Sequence, residues 1–267
     1  MNTRVTVRND IVESDAPIVV LPSATELELS ADASLRTWLH AEAGFVSSKL
    51  RWLNRKNPDE AWVPAHVGTP NFPTRVAAGS RKAIKSSASG APGTLSGPVG
   101  APHWSNAGKW TCAWIGDMGT GAVTQAVVGA RKAGGAQIQV RPANRGLRVY
   151  SAATARLTTA DNVLPAAGFY FAMICWNGPS GANGRLRALI ANVQVGVDVT
   201  TGIDAFADTD LTVFGQYEPS TNLDLFPGVD MQLQDLWWFT DDLSDAAAAA
   251  TRAKLVAYVG EKNPGLV

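Results

Sequence analysis

Met231-Gln-Leu-Gln-Asp-Leu-Trp-Trp-Phe-Thr-Asp-Asp-Leu-Ser-Asp-Ala246, running on through an alanine tract to Val259, is the stretch that decides the fold. Met231, Leu233, Trp237 and Phe239 alternate, with Asp235 the polar exception on that face. A period of two is what a strand packed on one core needs. Leu236 and Trp238 make the end of the segment apolar on both faces, as in a central or covered strand. Ser244 then stands where a helix N-cap belongs, with Asp245 favourable to the helix dipole behind it. Five alanines and Thr251–Val259 read as one helix, since alanine is the best helix former. Ala249, Ala253, Val256 and Gly260 are predicted to face the core, and Gly260 and Pro264 supply the stop.

Working outward, the chain before this stretch is a succession of short strand signals. Lys109–Asp117 carries Trp110, Cys112 and Trp114 on one face. Gln125–Arg131 comes next, and Gln137–Arg141 is joined to Leu147–Ser151 by a hairpin-like turn through Pro142–Gly146. Phe169–Trp176 is apolar on both faces, Arg185–Asp198 is long enough for a bent strand, and Leu211–Tyr217 precedes the closing strand. Residues 86–102 are rich in small residues and read as a long surface loop. Residues 1–24, with prolines at 17 and 22, read as an extended arm or edge strand. Many short strands with one helix only at the end predict an all-β fold, a two-sheet antiparallel sandwich.

At 267 residues, 46% apolar and 17% charged, the chain can bury a sizeable core. Its formal net charge of 0 gives no global attraction to nucleic acid. No apolar run is long enough to insert in a membrane. The N-terminus does not read as a signal peptide, so synthesis in a cytoplasm without export is expected. Cys112 and Cys175 are too few for a disulfide scaffold; buried thiols or one cross-strand disulfide are the open readings. No cofactor motif is present.

The closing strand, its Leu243-Ser-Asp-Ala246 turn and its helix resemble the end of concanavalin A-like (laminin G-like) jelly-roll domains. The opening is similar too. Trp38, Leu39 and Ala41 match a tryptophan–leucine–x–alanine strand, and Trp52 and Asn54 match the family's second tryptophan and the Asn or Asp close behind it. The resemblance implies a concanavalin A-like jelly roll over residues 25–267 with a short C-terminal helix. It also implies a lectin-like virion protein of a tailed bacteriophage: a tail-fibre, adhesion or surface-decoration component. Its expected partners are other virion proteins, host cell-surface polysaccharide and further copies of itself as a homo-oligomer. A purely structural assembly role and a polysaccharide-degrading enzyme are the alternatives. The hydrolases of this class carry Glu-x-Asp-x-x-Glu on one strand, and that segment is absent here. No enzyme is therefore expected.

Candidate binding residues are chosen by loop proximity. Trp62, Trp104 and Trp176 sit beside loops and are expected as exposed stacking platforms for sugar rings, with Asn177 and Asn183 able to meet hydroxyls. Asp204, Asp208 and Asp210 are weak calcium candidates, as oxygen ligands without a regular loop spacing. Arg141, Arg145 and Arg148 cluster on one hairpin, with Arg131 before it and Arg185 and Arg187 elsewhere. Three readings of these arginines stand: a solvated edge that discourages aggregation, contact with an acidic polysaccharide, or contact with an acidic neighbouring subunit.

Overall fold

The computed structural model describes residues 22–66, 72–87, 93–100, 103–105, 108–118, 125–131, 138–151, 154–178, 184–197 and 209–267. The expectation for residues 1–24 falls almost wholly outside them. In chain order the strands are β1 (Leu35–His40), β2 (Phe45–Val46), β3 (Arg51–Leu53), β4 (Ala61–Pro64), β5 (Thr74–Ala78), β6 (Arg81–Lys85) and β7 (Leu95–Ser96). Then come β8 (Trp110–Asp117), β9 (Val128–Arg131), β10 (Gln139–Ala143), β11 (Gly146–Ser151), β12 (Thr154–Thr158) and β13 (Tyr170–Trp176). The last are β14 (Leu186–Ile190), β15 (Val193–Val197), β16 (Asp210–Val213), β17 (Gln216–Glu218), β18 (Leu223–Leu225) and β19 (Gln232–Phe239).

They form two sheets, the jelly-roll sandwich expected. One sheet runs β15-β14-β13-β8-β19-β6-β5, with β1 also paired to β19. The other runs β12-β11-β10-β9-β16-β7-β4-β3-β2, with β17 and β18 attached at β9. The closing strand is the axis of the first sheet. One edge of β19 pairs with β8 over its whole length; the other is shared, Gln232 and Leu233 with β6 and Asp235–Phe239 with β1.

The alternation read from the sequence breaks once. A register shift between Leu233 and Asp235 puts a bulge in β19, and a bulge changes the phase of every side chain after it. Met231, Leu233, Leu236 and Trp238 therefore share the core between the sheets, while Trp237 and Phe239 face a second core on the other side. That second core lies under the helices.

There are two helices where one was expected. α1 (Ala24–Ser30) is opened by a capping box: the Ser23 hydroxyl accepts from the Glu26 N–H and the Glu26 carboxylate accepts from the Ser23 N–H. α2 (Ala249–Lys262) lies beside it and is preceded by a 3-10 turn over Ala246–Ala248. Asp245, not Ser244, caps that turn by accepting from the Ala247 N–H, while the Ser244 hydroxyl bonds Asp242. The inward face carries Ala248, Leu255, Tyr258 and Val259, and Ala249 and Ala253 are exposed. Of the four residues expected to face the core, Val256 packs against it and Gly260 is half-buried, while Ala249 and Ala253 face solvent; the large side chains set the rotation.

The family-like opening has a structural meaning. Asn54 is fully buried, accepts from the Trp38 and Lys56 N–H groups, and donates to the Arg36 carbonyl and the Glu60 carboxylate. It ties β1 to the β3–β4 connection where no ladder does so.

Cys112 and Cys175 are free and buried on opposite faces of the first sheet, one in each core. Opposite faces exclude the cross-strand disulfide. No helix of the described residues is long and apolar enough to cross a membrane.

Candidate functional site

The three loop-side tryptophans are not platforms: Trp62, Trp104 and Trp176 each have 0% exposure. Trp62 stands opposite Trp52 in the β3–β4 pair and meets His103 edge-on at 5.6 Å. Trp104 donates its indole N–H to the Gly129 carbonyl at 2.8 Å and packs 4.7 Å from Trp238. Trp176 is the partner of Trp110 across β13 and β8. All three rings belong to the core between the sheets, where an indole gains most because its whole apolar area leaves water.

Asn177 closes its own loop, its side-chain oxygen accepting from the Arg185 N–H at 2.6 Å. Asn183, Asp204 and Asp208 lie outside the described residues. Asp210 opens β16 opposite Arg131, at 9% exposure. Among the described residues no three His, Cys, Asp or Glu side chains come together to hold a metal.

A buried polar cluster between the first sheet and α2 has the residue types of a catalytic centre. Asp235 accepts from the Trp38 indole at 2.9 Å, from Arg81 at 2.9 Å and from the Tyr258 hydroxyl at 3.5 Å. Burial pushes the His40 imidazole below its ordinary value; Asp235 pulls the other way, and Arg55 and Arg81 add to the lowering. The Nδ1 of His40 accepts from the Ala43 N–H at 3.1 Å, which places the single ring proton on Nε2, 3.2 Å from Arg81 and 3.8 Å from Asp235. With Asp235 at 0% and His40 at 4% exposure, this cluster ties the helix layer down and offers no room to a substrate.

The second sheet carries a different arrangement. β10 and β11 form the expected hairpin, turned by Asn144 and Arg145, both left-handed (φ 51° and 57°). Val140, Leu147 and Val149 point into the core. The opposite face carries two cross-strand pairs, Gln139 with Tyr150 and Arg141 with Arg148. Phe226, just after β18, reaches over this face. The Arg141 guanidinium lies between two rings, 3.4 Å from the Phe226 centroid and 4.3 Å from that of Tyr150. Its Nε donates to the Gln139 side-chain oxygen at 2.5 Å. Burial pushes Arg141 below its ordinary value, with Tyr150 opposing, yet a guanidinium stays charged.

Four features set this face apart. Among the described residues Arg141 and Arg148 have no carboxylate partner, although like charges directly opposite destabilise a sheet. Gln139 is fully buried and its side-chain nitrogen has no hydrogen-bond partner among the described residues. Phe226 adopts φ 57°, a conformation costing a bulky residue about 1–2 kcal/mol. Gly129 lets the β17 segment approach: a Cβ there would meet the Gly215 carbonyl at 2.8 Å. Three of the other arginines have partners of their own. Arg145 donates to Asn162 at 2.9 Å, Arg131 lies 5.8 Å from the Tyr217 ring, and Arg187 donates to Ser244 and lies 3.8 Å from Asp242. A shallow cleft at the hairpin tip, about 450 Å³ with its open mouth, is lined by Asp117, Asn144, Arg145, Leu164, Pro165 and Tyr170 among others.

Sequence reasoning found the arginines but not Gln139 or Phe226. Gln139 is ordinary in a strand, and Phe226 is about 80 residues away in sequence with no local signal.

No family model matches the chain, and no curated protein matches it in sequence. Solved structures match in fold. Trypanosoma rangeli sialidase in complex with sialic acid superposes with a TM-score of 0.58 at 12% identity, over 88% of this chain and 34% of that one. The binding domain of Paraclostridial Mosquitocidal Protein 1 gives 0.55 at 11% identity, over 84% and 53%. Domain 4 of AbnA, an extracellular arabinanase from Geobacillus stearothermophilus, in complex with arabinotriose, gives 0.52 at 11% identity, over 82% and 98%. The chain thus spans about a third of the sialidase it matches. At these identities the likeness is one of fold.

Proposed function

We propose that this chain is a non-enzymatic recognition module that binds a surface glycan through the outer face of the β10–β11 hairpin. The observation that carries the reading is the guanidinium of Arg141 packed against the rings of Tyr150 and Phe226 with no carboxylate partner among the described residues. A stacked guanidinium keeps its donors in a fixed plane, which suits recognition of a polar ligand and supplies no nucleophile or general base. The arabinanase domain is a matched structure of similar extent, solved with arabinotriose bound, and it gives the reading a precedent in fold. At the finer level, the module serves in a bacteriophage virion, where it contacts host polysaccharide. That level rests on the sequence resemblance.

The test is a glycan array and a host-cell binding assay on the purified protein beside Arg141→Ala and Tyr150→Ala. Binding that is lost in folded variants supports the reading; absence of binding to any glycan or cell overturns it. Release of oligosaccharide from a panel of bacterial polysaccharides would overturn the non-enzymatic part. Absence of the protein from purified phage particles would overturn the virion part.

A further inference from the structure

Resting on the reading above, we infer that the hairpin site is selective for an acidic sugar: a uronic or ulosonic acid whose carboxylate seats on the free edge of Arg141, with Arg148 beside it.

The rings of Tyr150 and Phe226 lie against the Arg141 guanidinium and its Nε is taken by Gln139. What is left is the outer edge, two terminal nitrogens with parallel N–H bonds. That geometry matches the two oxygens of a carboxylate, and it cannot be reproduced by a lysine. The Gln139 amide is oriented by chemistry: its oxygen must face the Arg141 donor, so its nitrogen faces away and stands unsatisfied. Two cations opposite one another on one face, without a described counter-charge, call for a partner that carries negative charge. Across the strand pair Arg148 adds a second positive charge that no described acid neutralises. A carboxylate ligand removes the repulsion that the empty site carries. A sugar is favoured over an acidic protein surface because the arginines without a described counter-charge on this hairpin are a single cross-strand pair. Arg131, Arg145 and Arg187, which would widen the patch, are turned to partners of their own.

The experiment titrates the full chain with oligogalacturonate and sialyllactose, and with the carboxyl-reduced form of each. Arg141→Lys, Arg148→Ala and Arg145→Ala are run in parallel. Roughly tenfold to hundredfold weaker binding is expected on carboxyl reduction and in Arg141→Lys, as for loss of a charged hydrogen-bonded pair. Arg145→Ala is expected to change little. Arg141→Lys keeps the charge and the packing stem, so a folded variant is available for comparison. Equal affinity for the acidic and reduced sugars, or unchanged affinity in folded Arg141→Lys, overturns the inference and leaves glycan recognition standing. Binding of neutral glycans alone does the same. If no glycan binds, both fall. A change of oligomeric state in Arg141→Lys or Arg148→Ala, without glycan binding in the parent, assigns the site to an acidic neighbouring subunit and overturns it too.

Discussion

Asp235 is a carboxylate with no exposed surface, held by an indole, a guanidinium and a phenol. Removing it leaves the buried Arg81 with only the exposed Glu42, at 3.6 Å, as counter-charge. Asp235→Ala is expected to lower stability by about 3–5 kcal/mol, read as a lower denaturant midpoint with an unchanged slope. His40, in the same cluster, titrates in the opposite sense to a paired histidine. Its folded value lies below the unfolded one, so the unfolded chain takes the proton first. Stability should therefore fall as pH drops below about 6.5, and His40→Gln should flatten that part of the profile. Unfolding curves at a series of pH values check both. Trp104→Ala is expected to cost about 3–5 kcal/mol through the cavity it leaves, without a selective loss of binding. Burial was the property least legible at this scale. A tryptophan beside a loop reads as accessible, but these three point into the core between the sheets.

The two helices at the scale of elements act as a clasp across the first sheet. Asp32, just after α1, accepts from Lys254 at 2.8 Å and Thr251 at 3.0 Å on α2, and from Ser34 at the entry to β1. Burial would raise its carboxyl, but these donors outweigh it and hold it at about 2. The folded value is below the unfolded one, so the contribution is complete above about pH 4 and lost as pH falls through about 2. Amide exchange in α2 should therefore accelerate in that window before exchange in β8 and β13 does, and Asp32→Asn should show the fast exchange already at neutral pH. The terminal helix was legible because alanine propensity is local. α1 was legible only through Ser23 and Glu26, a signal easily passed over in a seven-residue helix. The β19 bulge was not legible, since nothing in Leu233-Gln-Asp235 marks the change of phase.

For the whole molecule, the two free thiols report on two different openings. Burial raises both, Cys175 to about 12, so neither is a reactive thiolate in the native state. Cys175 lies in the core under the helices and Cys112 in the core between the sheets. Under acid or mild denaturant Cys175 should label first, as α2 lifts, and Cys112 only with global unfolding; simultaneous labelling would mean one cooperative unit. The class of fold was legible because strand periodicity is repeated many times, and one missed bulge does not alter the sum. The proposed binding face was only half legible, since its arginines are near neighbours in sequence and Phe226, which packs on Arg141, is not.

The shared edge of β19 also bears on how the chain is made. β8 pairs with β19 on one side, and β1 and β6 on the other. Until residues 232–239 have left the ribosome, the first sheet exists as three pieces with no ladder between them: β1, the β5–β6 hairpin, and β8 with β13–β15. Each must wait with open strand edges, and β1 and the β8 piece with uncovered tryptophans, the condition in which nascent chains aggregate or recruit chaperones. Truncation just before Gln232 should therefore leave no cooperatively folded core, whereas truncation after Phe239 should leave a sandwich that lacks only its helical cover.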